Sequence, residues 1–144
     1  MYLSESSSVE KIKLFFKSKE KGKFTYENNK GNTVTCVMRA EGIEVDCLND
    51  SSHQNFLPWG VFWHAVHIML VNGGSVFRGK AMKNKLGDPD LPFDSVEGHI
   101  AHVMYGKSRG DTVFRRISPV AHILIASGVC VDQDNDMKLA SLPE

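Results

Sequence analysis

Residues 94–130, DSVEGHIAHVMYGKSRGDTVFRRISPVAHILIASGVC, decide how the second half of this chain folds. Apolar residues recur every three or four positions in two short segments of this stretch, which predicts two amphipathic helices. The loop between them carries four cationic side chains, Lys107, Arg109, Arg115 and Arg116. The second segment runs into VCVDQDNDMKLA, in which a polar tip between two short runs predicts a β-hairpin. The stretch therefore predicts the order helix, basic loop, helix, hairpin.

This order is typical of the closing half of a winged helix-turn-helix. Upstream of it, apolar residues at helical spacing fill Phe56–Val71 and stop at Asn72-Gly73-Gly74, and Val76-Phe77 predicts a short strand. Gly79–Leu86 predicts a second short helix, and the turn-rich run GDPDLPF follows it. We therefore expect a winged helix-turn-helix over residues 54–144, in which the helix 95–105 enters the major groove of a duplex.

Capping motifs set the expected ends of the last two helices. Asp94 is the expected N-cap of the first, and Glu97 has the spacing that completes a capping box. Ser118-Pro119 is the expected N-cap and first position of the second. The periodicity of the first helix places Val103 on its inward face.

Residues 1–52 predict a helix followed by a three-stranded antiparallel meander. Ser7 and Glu10 have the spacing of a capping box, and Gly22 is the expected end of the helix. The runs KFTYEN, TVTCVMRA and IEVDCL then alternate with period two and are separated by turn residues. We expect the polar stretch Asn49–Asn55 to link the two lobes. The predicted fold class is therefore α+β, a helix and small sheet followed by a winged helix-turn-helix.

Composition points to one sizeable core and gives no global sign of a polyanion partner. The chain has 144 residues and equal numbers, 17 each, of Lys+Arg and Asp+Glu. The charge is nevertheless uneven, because residues 78–116 hold eight Lys or Arg against five acids. Three cysteines without a CxxC pair indicate reduced, mostly buried thiols, and no run is apolar and long enough to span a bilayer. These features favour a cytoplasmic protein without membrane contact.

The basic residues around the helix 95–105 favour contact with duplex DNA. Lys and Arg neutralise phosphates, and side chains on a helix in the major groove reach base edges. Ser95, His99, Lys107 and Arg109 are the expected groove-facing candidates, since the helix turns Ser95, His99 and His102 outward. The full set of candidate DNA-binding residues is Arg78, Lys80, Lys83, Lys85, Ser95, His99, His102, Lys107, Arg109, Arg115 and Arg116.

The stretch TVFRRISPVAHILIASGVC resembles the closing helix of the N-terminal winged-helix module of Mrr-type restriction endonucleases. In that module an F-R-x-R cluster precedes an apolar helix that ends in A-G-L-I before the wing. Phe114, Arg115 and Arg116 correspond to the cluster with one residue less, and Ser127-Gly128-Val129 corresponds to the helix end. The resemblance extends over 59–139 and implies DNA binding in a restriction or mobile-element system. Pro119 replaces an aromatic residue and the wing tip is acidic, and no nuclease segment follows, so we expect a reader without cleavage chemistry.

Three other patterns imitate chemical sites. His64/His67 and His99/His102 are HxxH pairs at helical spacing, but no Cys or carboxylate accompanies them at ligand spacing. Residues 132–136 begin like a calcium loop, but the required Gly and Glu are missing. Pro89-Asp90 followed by Glu97 imitates a nuclease motif without its lysine. We therefore expect no metal, no cofactor and no catalytic residues.

A second function remains open beside DNA binding. The acidic wing, the neutral total charge and the acidic run Glu41–Asp50 favour a winged helix that contacts a protein partner or a second copy of this chain. The surface around residues 95–105 discriminates between the two. A continuous positive face favours DNA, and a mixed or apolar face favours protein.

Overall fold

The computed structural model describes residues 1–46 and 55–142, which form a mixed α and β structure with four α-helices and two antiparallel sheets. The elements are α1 (Glu5–Lys17), β1 (Lys23–Glu27), β2 (Thr33–Arg39), β3 (Gly42–Val45), β4 (Phe56–Pro58), α2 (Trp59–Val71), β5 (Ser75–Phe77), α3 (Val96–Tyr105), α4 (Ile117–Ala126), β6 (Cys130–Val131) and β7 (Asp136–Leu139). Among these helices, none combines the length and the apolar character needed to cross a membrane.

The N-cap of helix α1 lies three residues before the predicted one. The Ser4 hydroxyl, not that of Ser7, accepts the N-terminal hydrogen bond, which comes from the Ser7 N–H. The helix ends at Lys17, and a separate 3-10 turn extends to Gly22. The predicted helix was correct in kind, but several hydroxyl groups in succession made its cap ambiguous.

The first sheet contains four strands in the order β1-β2-β3-β4, which corrects the predicted three-stranded meander. The first three strands follow the predicted alternation, and their pairing places Phe24 opposite Cys36 and Met38 opposite Ile43. β4 adds to β3 and is followed directly by α2. The sequence prediction missed β4 because a three-residue strand is too short to show a period.

The second sheet has the order β5-β7-β6, so the last strand lies between the other two. The predicted hairpin is confirmed, since Cys130 pairs with Leu139 and Val131 with Lys138. The predicted short strand at Val76-Phe77 is also confirmed, and it pairs with the outer side of β7.

The predicted helix over Gly79–Leu86 is wrong. This segment consists of turns and a single bridge between Lys85 and Thr112. Gly79 has φ +88° and Lys83 has φ +66°, and both lie in the left-handed region. Two residues of this conformation within five positions interrupt a right-handed helix.

One apolar core joins the N-terminal and C-terminal parts of the described chain. Ile12, Ile43, Phe62, Ile123 and Met137 come from five different elements and are fully buried in the same cluster. Helix α2 lies at the centre of this core, as its apolar surface predicts. The expected linker, residues 49–55, lies almost wholly outside the described residues. Of the cysteines, Cys36 and Cys130 are buried, as expected.

Candidate functional site

Two loops, 78–93 and 106–116, pack against each other and form what we call the two-loop surface. The Leu86 N–H donates to the Asp111 carbonyl at 3.0 Å, and the Gly110 N–H donates to the Leu86 carbonyl at 2.8 Å. The Lys85 ammonium donates to the Thr112 hydroxyl at 2.7 Å. A small apolar cluster that includes Leu91 and Leu86 supports the loops from below. The two loops therefore form one continuous surface held by hydrogen bonds and apolar contacts, and are not two independent connections.

Six cationic side chains of the candidate set lie on the two-loop surface without an ion pair to any described carboxylate. They are Lys80, Lys83, Lys85, Lys107, Arg109 and Arg115, all exposed except the half-buried Lys107. Two of the nearby carboxylates already accept hydrogen bonds from backbone N–H groups. Asp88 accepts from the Lys85 N–H and Asp111 from the Ser108 N–H, both at 2.7 Å. The surface thus combines unpaired cations with carboxylates held in turns.

Arg109 has a defined position within this surface. Its guanidinium lies 5.1 Å from the centre of the Phe93 ring, and its Nη1 donates to the Gly87 carbonyl at 3.5 Å. His102 packs edge-on against the same Phe93 ring and donates from Nδ1 to the Lys107 carbonyl at 2.8 Å. These contacts orient the loop after α3, since they hold its backbone and one of its two cations.

Arg78 does not present a free guanidinium. Its Nε donates to the Asp136 carbonyl and its Nη2 to the Gln133 carbonyl, both at 3.1 Å. The Asp132 carboxylate also lies 3.9 Å from Nη2. The expectation of a phosphate contact is therefore corrected in part, because this arginine holds the tip of the β6–β7 hairpin and keeps only Nη1 uncommitted.

Ser95 and Arg116 are buried. This corrects the expectation that Ser95 faces a groove and that Arg116 neutralises a phosphate. Ser95, and not Asp94, is the N-cap of α3, where its hydroxyl accepts from the Gly98 N–H. The Arg116 guanidinium lies 3.7 Å from the centre of the Tyr105 ring and donates from Nη1 to the Phe114 carbonyl. Both side chains serve the packing of α3 and α4.

Glu97 has a role that the sequence prediction missed. Its carboxylate does not complete a box on α3 but accepts from the Ile117 N–H at 2.7 Å and from the Arg116 N–H at 3.0 Å. These are the first amides of α4, whose own N-cap residue makes no side-chain cap. Helix α4 therefore begins at Ile117, before the expected Ser118-Pro119 start. Burial raises the pKa of Glu97 to about 7, although the hydrogen bonds from Arg116 and Ile117 oppose this rise.

His99 is turned towards α2 and not outward. Its Nε2 lies 3.2 Å from the Nδ1 of His64, and His67 Nδ1 lies 2.8 Å from the Glu5 carboxylate. Burial, with a smaller contribution from His64 and His67, lowers the pKa of His99 to about 4. In the described part of the chain, no three His, Cys, Asp or Glu side chains are arranged to hold a metal ion.

The exposed surface of α3 is mixed in character. The helix carries no Lys or Arg, His102 is exposed, and Val103 is 47% exposed although its predicted position was inward. Helix α4 also carries no Lys or Arg, and Tyr26 of β1 stacks on its His122 with ring centres 3.8 Å apart. The positive charge therefore resides in the loops and not on either helix.

A cavity of about 350 Å³ brings three of the candidate residues together. Arg78, Lys80 and Arg115 line it beside the start of α4 and the tip of the β6–β7 hairpin. Lys83, Lys85, Lys107 and Arg109 lie outside it. Seven of the candidate cations therefore separate into three that line the cavity and four that lie outside it. No protein-family model, curated protein or solved structure matches this chain.

Proposed function

We propose that residues 59–139 form a winged-helix module. The supporting observation is the element order: helix α2, strand β5, helices α3 and α4, then the hairpin β6–β7. Strand β7 lies between β5 and β6, as expected when the first strand of such a module pairs with the last. The resemblance to the Mrr-type module is compatible with this order and stays a prediction.

We further propose that the protein binds duplex DNA without catalysis and contacts mainly its phosphates. The observation that carries the proposal is the set of six cations without ion pairs on the two-loop surface. Such cations release counterions from DNA and supply affinity that does not depend on sequence. Reading of bases through α3 is a smaller part of the proposal than the sequence suggested, because Ser95 is buried and His99 contacts α2. In the proposed element order the second helix of the helix-turn-helix is α4 and not α3, and α4 carries no Lys or Arg. A role as a regulator or accessory of a restriction or mobile-element system rests on the resemblance.

The test is an anisotropy titration of a labelled random duplex at several salt concentrations. If all six cations contact phosphates, affinity falls about 10³-fold between about 50 mM and about 200 mM salt. A variant with Lys17→Ala and Lys23→Ala is the control and should bind the duplex like the parent, since both side chains are exposed and lie outside the two loops. Absence of salt-dependent binding at tens of micromolar protein would contradict the proposal, because non-specific binding by this class falls in roughly that range.

A protein-interaction module is the second candidate. The observation in its favour is the mixed surface beside the loops, where Val103 is 47% and Met82 is 56% exposed. Exposed apolar side chains next to charged ones are typical of interaction surfaces. Light scattering after size exclusion tests self-association, and Val103→Asp should disrupt any dimer built on this surface. A monomer that binds duplex would favour the first candidate, and a dimer that does not bind duplex would favour the second.

A further inference from the structure

We propose that the cavity between β5, the start of α4 and the tip of the β6–β7 hairpin binds a small phosphate monoester, such as a nucleoside 5′-monophosphate. The cavity measures about 350 Å³, which lies within the range of small-molecule sites. The proposal does not depend on DNA binding, and its test contains no nucleic acid polymer.

The charge of the lining fits a dianion. Lys80 and Arg115 contribute two positive charges without an ion pair to a described carboxylate, and Asp134 is the one carboxylate among the described lining residues. Arg78 adds a third charge, which Asp132 partly offsets at 3.9 Å. Burial, and after it the charge of Arg78, lowers the pKa of His122. The net positive lining suits a phosphate monoester, which carries about −1.5 to −2 at neutral pH.

The lining also contains polar side chains that make no hydrogen bond to the described protein groups. Among the described residues, the Lys80 ammonium, the Arg115 guanidinium and the Ser118 hydroxyl make no hydrogen bond to other protein groups. The side-chain amides of Asn29 and Asn135 likewise make none. Five polar side chains therefore line one cavity without hydrogen bonds to the described protein groups, and all but Ser118 are exposed. A few polar groups of this kind can orient a bound ligand.

The composition of the walls suggests which part of the ligand lies where. Lys80 and Arg115 suit the phosphate, and the guanidinium of Arg115 can form two parallel hydrogen bonds to it. The ring of Phe77 provides an apolar wall, and amides such as Asn29 and Asn135 suit the edge of a base or the hydroxyls of a sugar. A bare phosphate ion would leave these groups unused. We therefore expect the organic part of the ligand to contribute to binding.

The site is formed by side chains and not by the end of α4. The Glu97 carboxylate already accepts from the Arg116 and Ile117 amides, so these N–H groups are not offered to a ligand. Lys80 and Arg115 are therefore the positions on which binding of the phosphate should depend most.

The experiment is a thermal-shift and calorimetric titration of the full chain with AMP, ribose 5-phosphate, inorganic phosphate and adenosine, each at matched ionic strength. Binding with a dissociation constant of about 1 mM would raise Tm by about 3–5 °C at about 10 mM ligand. We expect this shift with the two phosphate monoesters, a smaller one with inorganic phosphate and none with adenosine. Equal shifts with AMP and inorganic phosphate, or no shift with either monoester, would overturn the proposal.

Variants locate the effect in the cavity. The double variant Lys80→Ala, Arg115→Ala should lose at least about tenfold in affinity for AMP, since each removed contact is charge-assisted. Both side chains are exposed, so the fold should persist, and circular dichroism checks this. The matched control Lys83→Ala, Lys107→Ala removes two charges from the two-loop surface outside the cavity and should bind AMP like the parent. If both double variants lose affinity equally, the cavity is not the site.

Discussion

Replacement of Glu97 by glutamine should change the dependence of stability on pH. The carboxyl group is 1% exposed and has a pKa of about 7 in the folded chain, against an ordinary value of 4.5. Below pH 4.5 it is protonated in both folded and unfolded chains. Between pH 4.5 and 7 the folded chain holds a proton that the unfolded chain has lost, so stability falls as pH rises through this window.

The size of the effect follows from the two pKa values. A rise from 4.5 to about 7 corresponds to about 3 kcal/mol of unfolding free energy lost between pH 4.5 and pH 8. Glutamine does not ionise, and its amide oxygen can still accept from the Ile117 N–H. We therefore expect Glu97→Gln to be less stable than the parent at pH 4.5 by about 1 kcal/mol. At pH 8 it should be more stable by about 2 kcal/mol.

Urea unfolding at pH 4.5, 6 and 8 measures this difference. The difference in unfolding free energy between variant and parent is the useful quantity. His99 contributes a pH dependence opposite in sign to that of Glu97, but it does so equally in both proteins and cancels in the difference. The lowered pKa of its imidazole adds stability as pH rises towards the ordinary value of 6.5. Glu41→Gln, at an exposed carboxyl, is the matched control and should run parallel to the parent. If the profile of Glu97→Gln also runs parallel to the parent, our account of the buried carboxyl is wrong.

Further measurements address the surface, the packing and the thiols. Under the DNA proposal, Lys107→Ala with Arg109→Ala should weaken binding to all duplexes and reduce the salt slope by about two, as measured by anisotropy titration; an unchanged slope would place the interface elsewhere. Gly98→Ala should destabilise the fold by at least about 2 kcal/mol in urea unfolding, because its methyl group would overlap a backbone carbonyl oxygen. Gly60→Ala should cost less than about 1 kcal/mol, since only a flexible methionine end must move, and equal costs would contradict this comparison. Burial raises the pKa of Cys130 to about 12, so its thiol should react with a disulfide reagent only after unfolding, and rapid native-state labelling at that position would refute its burial.

The sequence was most informative where a period repeats over several residues. The alternation in β1 to β3 and the broad apolar face of α2 predicted these elements in the right order. The prediction of a helix over residues 79–86 failed because three lysines at spacings of two and three imitate the solvent face of a helix. The backbone instead turns at Gly79 and Lys83, and hydrogen bonds to the loop 106–116 and within the loop 78–93 stabilise this path.

The candidate site could be predicted in composition but not in arrangement. Counting charges identified the cations of the two loops correctly as surface residues, because a lysine or arginine without a partner remains in water. Counting could not reveal that Arg78 binds hairpin carbonyls or that Arg116 is buried under Tyr105. The role of Glu97 was hidden for the same reason, since its partners lie about twenty positions further along the chain and its spacing also fits a local capping box.

The single apolar core has a consequence for local opening of the chain. Residues from α1, α2 and α4 are fully buried in one cluster, so no helix can leave without exposing the apolar surfaces of the others. The amides of Ile12, Phe62 and Ile123 should therefore exchange their hydrogens only through global unfolding, all with the same opening free energy. A ligand that binds any part of the folded chain would then slow hydrogen exchange in all three helices alike, including α1, which does not line the cavity.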